Sequence, residues 1–322
     1  MEKKNRIEYI DIAKAIAIFC VVLGHTVFES ASLKTVLYSF HMPLFFVLSG
    51  MVMQRKDDMA SAEYLKRKAY ALLIPYFVWG FIYARFSVKS VIFLLYGTRE
   101  ALLRAESQSS LWFLPVLFLA VLIAQTFIQK LENPRYKAGC VVLLFTLGFS
   151  VPHFWMGDPF GIDIALVAAG FILLGNVIKD RVSGKMWAAF PVCLLALTVG
   201  IYFNAPRAGF VLMGNADYGD PLLFLLGSLG GTGLIILLAY FANFLPKKRL
   251  LVEIGQNTLG IFLLHKPIVE FAITLCGRFS VSRDNVLAAI LISLVSMMLA
   301  FGASLIIRKI VPLAMGEVKR EA

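Results

Sequence analysis

Long apolar blocks recur along this chain, separated by short stretches that gather the charged residues. They lie near 8–28, 36–54, 69–86, 109–129, 138–152, 161–178, 186–203, 221–245, 251–274 and 285–311. A helix needs about 20 apolar residues to cross the hydrocarbon core of a bilayer. Nine of the ten blocks approach or exceed that length, and the fifth is short. The pattern predicts an all-α integral membrane protein with about ten transmembrane helices. Between the spans, Val88 to Tyr96 predicts a short interfacial helix, whereas 204–220, rich in Gly, Asn and Asp, predicts an irregular loop. No internal repeat is visible, and 1–322 reads as a single transmembrane domain with no fused soluble domain.

Charge orders these spans. With the N-terminus in the cytoplasm, 21 of the 31 Lys and Arg residues fall on cytoplasmic segments and eight on outer ones, leaving Lys14 and Lys266 within spans. Such an excess is the positive-inside pattern and places both termini in the cytoplasm. Composition agrees: of 322 residues, 59% are hydrophobic and 16% charged, against about 25% charged in soluble domains. The basic start (Lys3, Lys4, Arg6) precedes a first helix read as retained. That stretch carries Asp11, Lys14 and His25, and no small-residue cleavage site closes it. The net charge of +11 follows from the loops, although it also favours anionic substrates. The basic residues sit in short inter-helix loops, which gives no sign of a nucleic-acid partner. The four cysteines lie in or beside apolar segments without metal-ligand spacing and read as free core thiols.

The first span holds unusual chemistry. Lys14 and His25 are eleven residues apart, so at about 100° per residue they are about three turns plus 20° apart and share one flank, separated axially by about 16 Å. Ionisable groups inside a span are costly and usually face an interior cavity. Asp11 stands one turn below Lys14. Glu29 follows His25 at i+4 and is placed to fix the imidazole tautomer and raise its basicity. The bland alternatives are a snorkelling Lys14, a His25 bonded to a loop, and a Glu29 that merely opens the loop.

This run resembles the membrane acyltransferase-3 family, with its basic residue, ten-residue gap and histidine, here Lys14 to His25. Further stretches are similar in the same order: Phe40-His41-Met42-Pro43-Leu44-Phe45-Phe46 through Ser49-Gly50, the loop basic cluster Lys66-Arg67-Lys68 with Ile74-Pro75-Tyr76, Leu111-Trp112-Phe113-Leu114, and Asn257-Thr258-Leu259-Gly260-Ile261-Phe262-Leu263-Leu264-His265. One departure is clear. Many relatives carry a second basic residue close to the proline, where this chain has Tyr70 and Ala71; Lys66 or Lys68 substitutes with less bidentate character.

The resemblance implies an acyl-CoA donor, acetyl-CoA by family default with succinyl as an alternative, and an acceptor hydroxyl on an extracytoplasmic glycan, glycolipid or cell-envelope polymer. It implies a multi-pass protein of the bacterial inner membrane that binds no cofactor beyond this co-substrate. On this reading Lys14, Lys66, Arg67 and Lys68 hold the CoA phosphates, with Asp11 beside them. The pantetheine arm threads along the polar flank, and His25, assisted by Glu29, takes the acceptor proton. Ser49, His41, Trp112 and Asn257 are the unranked candidates for the oxyanion donor, and His265 is a further substrate-site candidate. Each has a structural alternative: Ser49-Gly50 as a close helix contact, Trp112 as an aromatic-belt residue, and His41 and His265 as interfacial or packing residues. The competing function is a transporter or flippase for a polysaccharide or lipid-linked intermediate.

Overall fold

The computed structural model describes residues 7–27, 32–55, 61–153, 157–278 and 285–317. Glu29 lies outside the described residues. Among them the secondary structure is helical. In chain order the helices are α1 (Glu8–Thr26), α2 (Ser32–Val52), α3 (Ser61–Tyr83), α4 (Ser90–Tyr96), α5 (Arg99–Arg104), α6 (Phe113–Lys130), α7 (Pro134–Ser150), α8 (Ile162–Ile178), α9 (Phe190–Ala208), α10 (Pro221–Ala242), α11 (Arg249–Gln256), α12 (Thr258–Arg278) and α13 (Val286–Ile310).

Eight of these helical stretches are long and apolar enough to cross a membrane. The two other expected spans also fold as helices. α7 has 17 residues. α3 begins eight residues before the expected start of its span, so Lys66, Arg67 and Lys68 stand on its opening turns and not in a loop. The expected ninth span is corrected in a different way. Its first turns form a separate helix, α11, and the chain breaks at Asn257 (φ −111°, ψ 18°) before α12 begins. The Asn257 amide donates to the Glu253 carbonyl at 2.7 Å, satisfying a carbonyl that the interrupted helix leaves open. The short helix expected near 88–96 is α4. The 204–220 segment is less irregular than expected, because α9 continues to Ala208 and a turn at Met213–Asn215 is closed by a bridge between Leu212 and Asp217.

The chain divides into two compact units. Unit 1 comprises residues up to Leu48, Val182–Val211 and Gly219–Ile306. Here α1 is the central element and packs on α10, α11 and α12. α9 and α10 form a tight pair because glycines let their backbones meet. A Cβ on Gly200 would overlap the Gly227 amide, and one on Gly230 would overlap Leu197. Without a hydrophobic drive between helices in lipid, such close approach supplies the packing. Ser293 of α13 donates to Thr26 Oγ1 at 2.9 Å, fixing one end of α1.

Unit 2 comprises Ser49–Arg181, Leu212–Tyr218 and residues from Ile307. α8 packs between α6 and α7, and α3 packs on α6. At Ser49-Gly50 a Cβ on the glycine would overlap the Ile172 carbonyl of α8, so this pair permits a close helix crossing. Trp79 Nε1 donates to the Ala314 carbonyl at 3.0 Å and ties the C-terminal turn Pro312–Met315 to α3.

Candidate active site

The flank of α1 is tested by which of its side chains remain open. Between Tyr9 and Val27 only Lys14, Ile16, Phe19 and His25 are not buried. At about 100° per residue these fall into two groups, Ile16 with Phe19 on one side and Lys14 with His25 on nearly the opposite side. One open side is apolar and suits lipid, whereas the other carries the two ionisable groups. The expected polar stripe is nevertheless interrupted. Ile18 and Val21 lie within about 40° of the Lys14–His25 line and are 0% and 3% exposed. The flank is open at its two ends and closed between them.

At the first end Lys14 Nζ lies 3.8 Å from Asp11 Oδ1, a buried carboxylate that also accepts from Gln256 Nε2 at 3.3 Å. Gly255 brings α11 against the Asp11 backbone. Lys248 pairs with Glu8 at 2.6 Å and also donates to the Asn243 carbonyl at 2.7 Å, with exposed Lys247 and Arg249 beside it. Asn257 follows Gln256 directly and therefore belongs to this end. Its distance from His25 along α1 is roughly 20 Å, which removes it from the list of oxyanion donors for a group held at His25.

At the second end the His25 ring lies 5.1 Å from that of His265, centroid to centroid, at 45°. His265 is fully buried. Its Nδ1 lies 2.6 Å from the Phe262 carbonyl. A carbonyl only accepts, so Nδ1 carries the hydrogen and Nε2 presents a lone pair in the neutral ring. That Nε2 has no hydrogen-bond partner among the described residues. His41, also buried, donates from Nδ1 to the Leu37 carbonyl at 2.7 Å, and its ring meets Tyr38 at 4.8 Å. The Tyr38 ring packs on Gly24, where a Cβ would come within 2.9 Å of it. The titratable groups acting on His25 include His265, Lys266, His41 and Lys34, all basic.

The model of the acyltransferase-3 family, an acyltransferase domain, matches residues 7–309. The chain belongs to this family. No curated protein and no solved structure matches it. The acyltransferase-3 match covers α1 with both of its open ends as well as every described candidate from Asp11 to His265.

The remaining acyltransferase-3 candidates lie in unit 2. Lys66 and Arg67 are exposed on α3, and Lys68 Nζ stands over the Tyr64 ring at 5.4 Å. Burial pushes the Tyr64 hydroxyl up to about 12, so it remains a donor. Ser49 is half-buried beside the Gly50 contact. Trp112 is 7% exposed and packs against Gly214, where a Cβ would come 2.7 Å from the indole. This contact helps hold the Leu212–Tyr218 segment, as does Arg99, which donates to Asn215 at 3.0 Å.

Unit 2 also contains a cluster that sequence reasoning missed. His153 donates from Nδ1 to the buried Asp163 at 2.6 Å. Asp158 is buried nearby, and the second oxygen of Asp163 and one oxygen of Asp158 have no donor among the described residues. Burial, then the charge of Asp163, push the Asp158 carboxyl above the usual carboxylate range, while His153 opposes them. Burial and Asp163 likewise hold the Tyr218 phenol well above its usual value. The loop between is strained, since Phe160 adopts φ +57° without being glycine. The only local signal was a histidine ten residues before an aspartate across a span boundary, which has no helical period to expose it.

Proposed function

We propose that this protein is an integral membrane O-acyltransferase that moves an acyl group, acetyl in the first instance, from cytoplasmic acyl-CoA to a hydroxyl of an extracytoplasmic glycan, glycolipid or cell-envelope polymer. The setting is the inner membrane of a bacterium. The observation that carries the reading is the His25–His265 pair, at the far end of the helix whose near end holds Lys14 and Asp11, in a chain of the acyltransferase-3 family.

The chemistry follows from these groups. Lys14, with Lys247, Lys248 and Arg249 of the same unit, attracts the phosphates of CoA. The thioester lies beside His25. His25 accepts the acceptor's hydroxyl proton while the hydroxyl oxygen bonds to the thioester carbonyl carbon. Collapse of the tetrahedral intermediate breaks the C–S bond, and the imidazolium returns its proton to the departing thiolate, releasing CoA. The Nε2 lone pair of His265 accepts a hydrogen bond from His25 or from the acceptor hydroxyl and so orients the exchange. The ammonium groups of Lys34 and Lys266, which act on His25 through space, favour the developing oxyanion. A pantetheine arm laid on this flank of α1 has to displace the side chains that cover Ile18 and Val21.

The test is release of free thiol from acetyl-CoA by the purified protein in nanodiscs. The expected result is turnover by wild type and a loss of about 10²- to 10⁴-fold in His25→Ala. A transporter would release no thiol, and an undiminished His25→Ala rate would sink the proposed role of the imidazole.

A further inference from the structure

Unit 2 carries a cluster of cations that the acyl-transfer chemistry does not use, where the ends of α2, α6, α7 and α8 meet. Asn176, buried near the end of α8, organises it. Its Nδ2 donates to the Met53 carbonyl, just beyond α2, at 3.0 Å, and its Oδ1 accepts from Lys137 Nζ of α7 at 3.0 Å. Lys179 Nζ donates to the same Met53 carbonyl at 3.4 Å. One buried amide therefore draws two ammonium groups to the end of a third helix. An ammonium has three hydrogens to donate, so these bonds exhaust neither group, and both lysines stay half-buried.

Charge is lopsided there. Arg55, Lys130, Arg135, Lys137, Lys179 and Arg181 stand at these helix ends, against the carboxylates Glu132 and Asp180. Glu132 is paired with Arg55. Lys179 and Arg55 both act on the Lys137 ammonium through space, opposed by Asp180. The carbonyl ends of α2 and α8 favour cations, but with fractional charges that fall short of this excess. Like charges held together repel, and an anion placed among them relieves the repulsion.

The neighbouring surface is apolar. Tyr136, Leu143 and Leu147 of α7 are exposed and fall within about 40° of one another around the helix. Their line is about 16 Å long, close to one leaflet of the roughly 30 Å hydrocarbon core. Lys137 borders its first residue, and the charge-ordered topology puts this end at the cytoplasmic boundary. Paired ammonium groups above a leaflet-long apolar track are the complement of an anionic lipid. We propose that Lys137 and Lys179, positioned by Asn176, hold the phosphate of an anionic phospholipid of the cytoplasmic leaflet, with an acyl chain along the exposed face of α7. Charge-assisted hydrogen bonds fix the phosphate. The surrounding positive excess selects a headgroup with net negative charge, such as phosphatidylglycerol, over zwitterionic phosphatidylcholine. The inference does not rest on the acyl-transfer reading.

The test is thermal stabilisation of the full chain in dodecyl maltoside by added phosphatidylglycerol, since a ligand that binds the folded state raises its melting temperature. Phosphatidylglycerol is expected to give a saturable rise, whereas phosphatidylcholine and inorganic phosphate at the same concentration are not. Lys137→Gln combined with Lys179→Gln should raise the half-saturating concentration at least tenfold, and Lys137→Arg should keep it. Lys89→Gln removes the same charge from an exposed position beside α4 and should leave the response unchanged. Should the double variant fail to fold, native mass spectrometry of the wild type decides, with one phosphatidylglycerol retained under conditions that strip phosphatidylcholine. Equal stabilisation or retention of phosphatidylcholine would reduce the cluster to a general lipid boundary. A full response to inorganic phosphate would reduce it to an anion site. Displacement of the retained phosphatidylglycerol by CoA would assign the cations to the donor's phosphates, and an unchanged response in the double variant would put the lipid elsewhere. Each of these outcomes overturns the proposal.

Discussion

His265→Leu separates a catalytic from a structural role for the histidine pair. The substitution approximately conserves volume and removes both ring nitrogens from a site with no exposed surface. Leaving Nε2 buried with no partner among the described residues costs the folded state about 1–3 kcal/mol, which leucine recovers. The bond from Nδ1 to the Phe262 carbonyl is worth about 0.5–1.5 kcal/mol and is lost. That carbonyl still accepts within the helical ladder. The ring contacts with His25 and Phe262 are worth up to about 1 kcal/mol more. These terms nearly cancel, so stability should change by less than about 1.5 kcal/mol, a shift of at most a few degrees in melting temperature. Activity should behave otherwise. If Nε2 orients the proton exchange at His25, thiol release should fall about 10²-fold, the size expected of a mispositioned reacting group. His265→Gln, with an amide oxygen near the place of Nε2, should recover part of that loss. The assays are acetyl-CoA cleavage and thermal melting on the same preparations. A His265→Leu protein with more than half of wild-type turnover would refute the argument. So would one that melts far lower and loses activity only in proportion to the folded fraction.

Three further outcomes follow from other positions. Lys14→Met should raise the KM for acetyl-CoA about tenfold while kcat changes little, and Lys14→Arg should stay near wild type, because the ammonium is assigned to the CoA phosphates; a fall in kcat at unchanged KM would contradict this. Gly255→Ala should destabilise by about 1–3 kcal/mol or more, because a Cβ there overlaps the Asp11 carbonyl and forces α11 off α1; an unchanged melting temperature counts against the packing described. At Asp158 the folded chain keeps a proton that the unfolded chain releases above its ordinary value of 3.8, so stability is lost as pH rises from there through the raised value. Asp158→Asn should therefore flatten the decline of melting temperature between acid and neutral pH, and parallel curves for the two proteins would refute it.

Helical periodicity and apolar run length are properties of consecutive residues. For that reason the all-α membrane character, nearly all the span positions, and the common flank of Lys14 and His25 could be read from the sequence. The break at Asn257 escaped because the apolar content of α11 and α12 runs on across it, and only a backbone torsion separates the two helices. What tertiary structure decided is contact between residues distant in the chain: His265 on His25, Gln256 and therefore Asn257 at the Asp11 end, and His153 on Asp163 across a loop. It also decided that Ile18 and Val21 close the flank between its two charged ends. Such pairings depend on which helices pack together, and here glycines such as Gly255, Gly200 and Gly50 allow the backbones to touch. A glycine in the sequence states that an approach is possible, but its partner is chosen only when all the helices compete for the same surfaces.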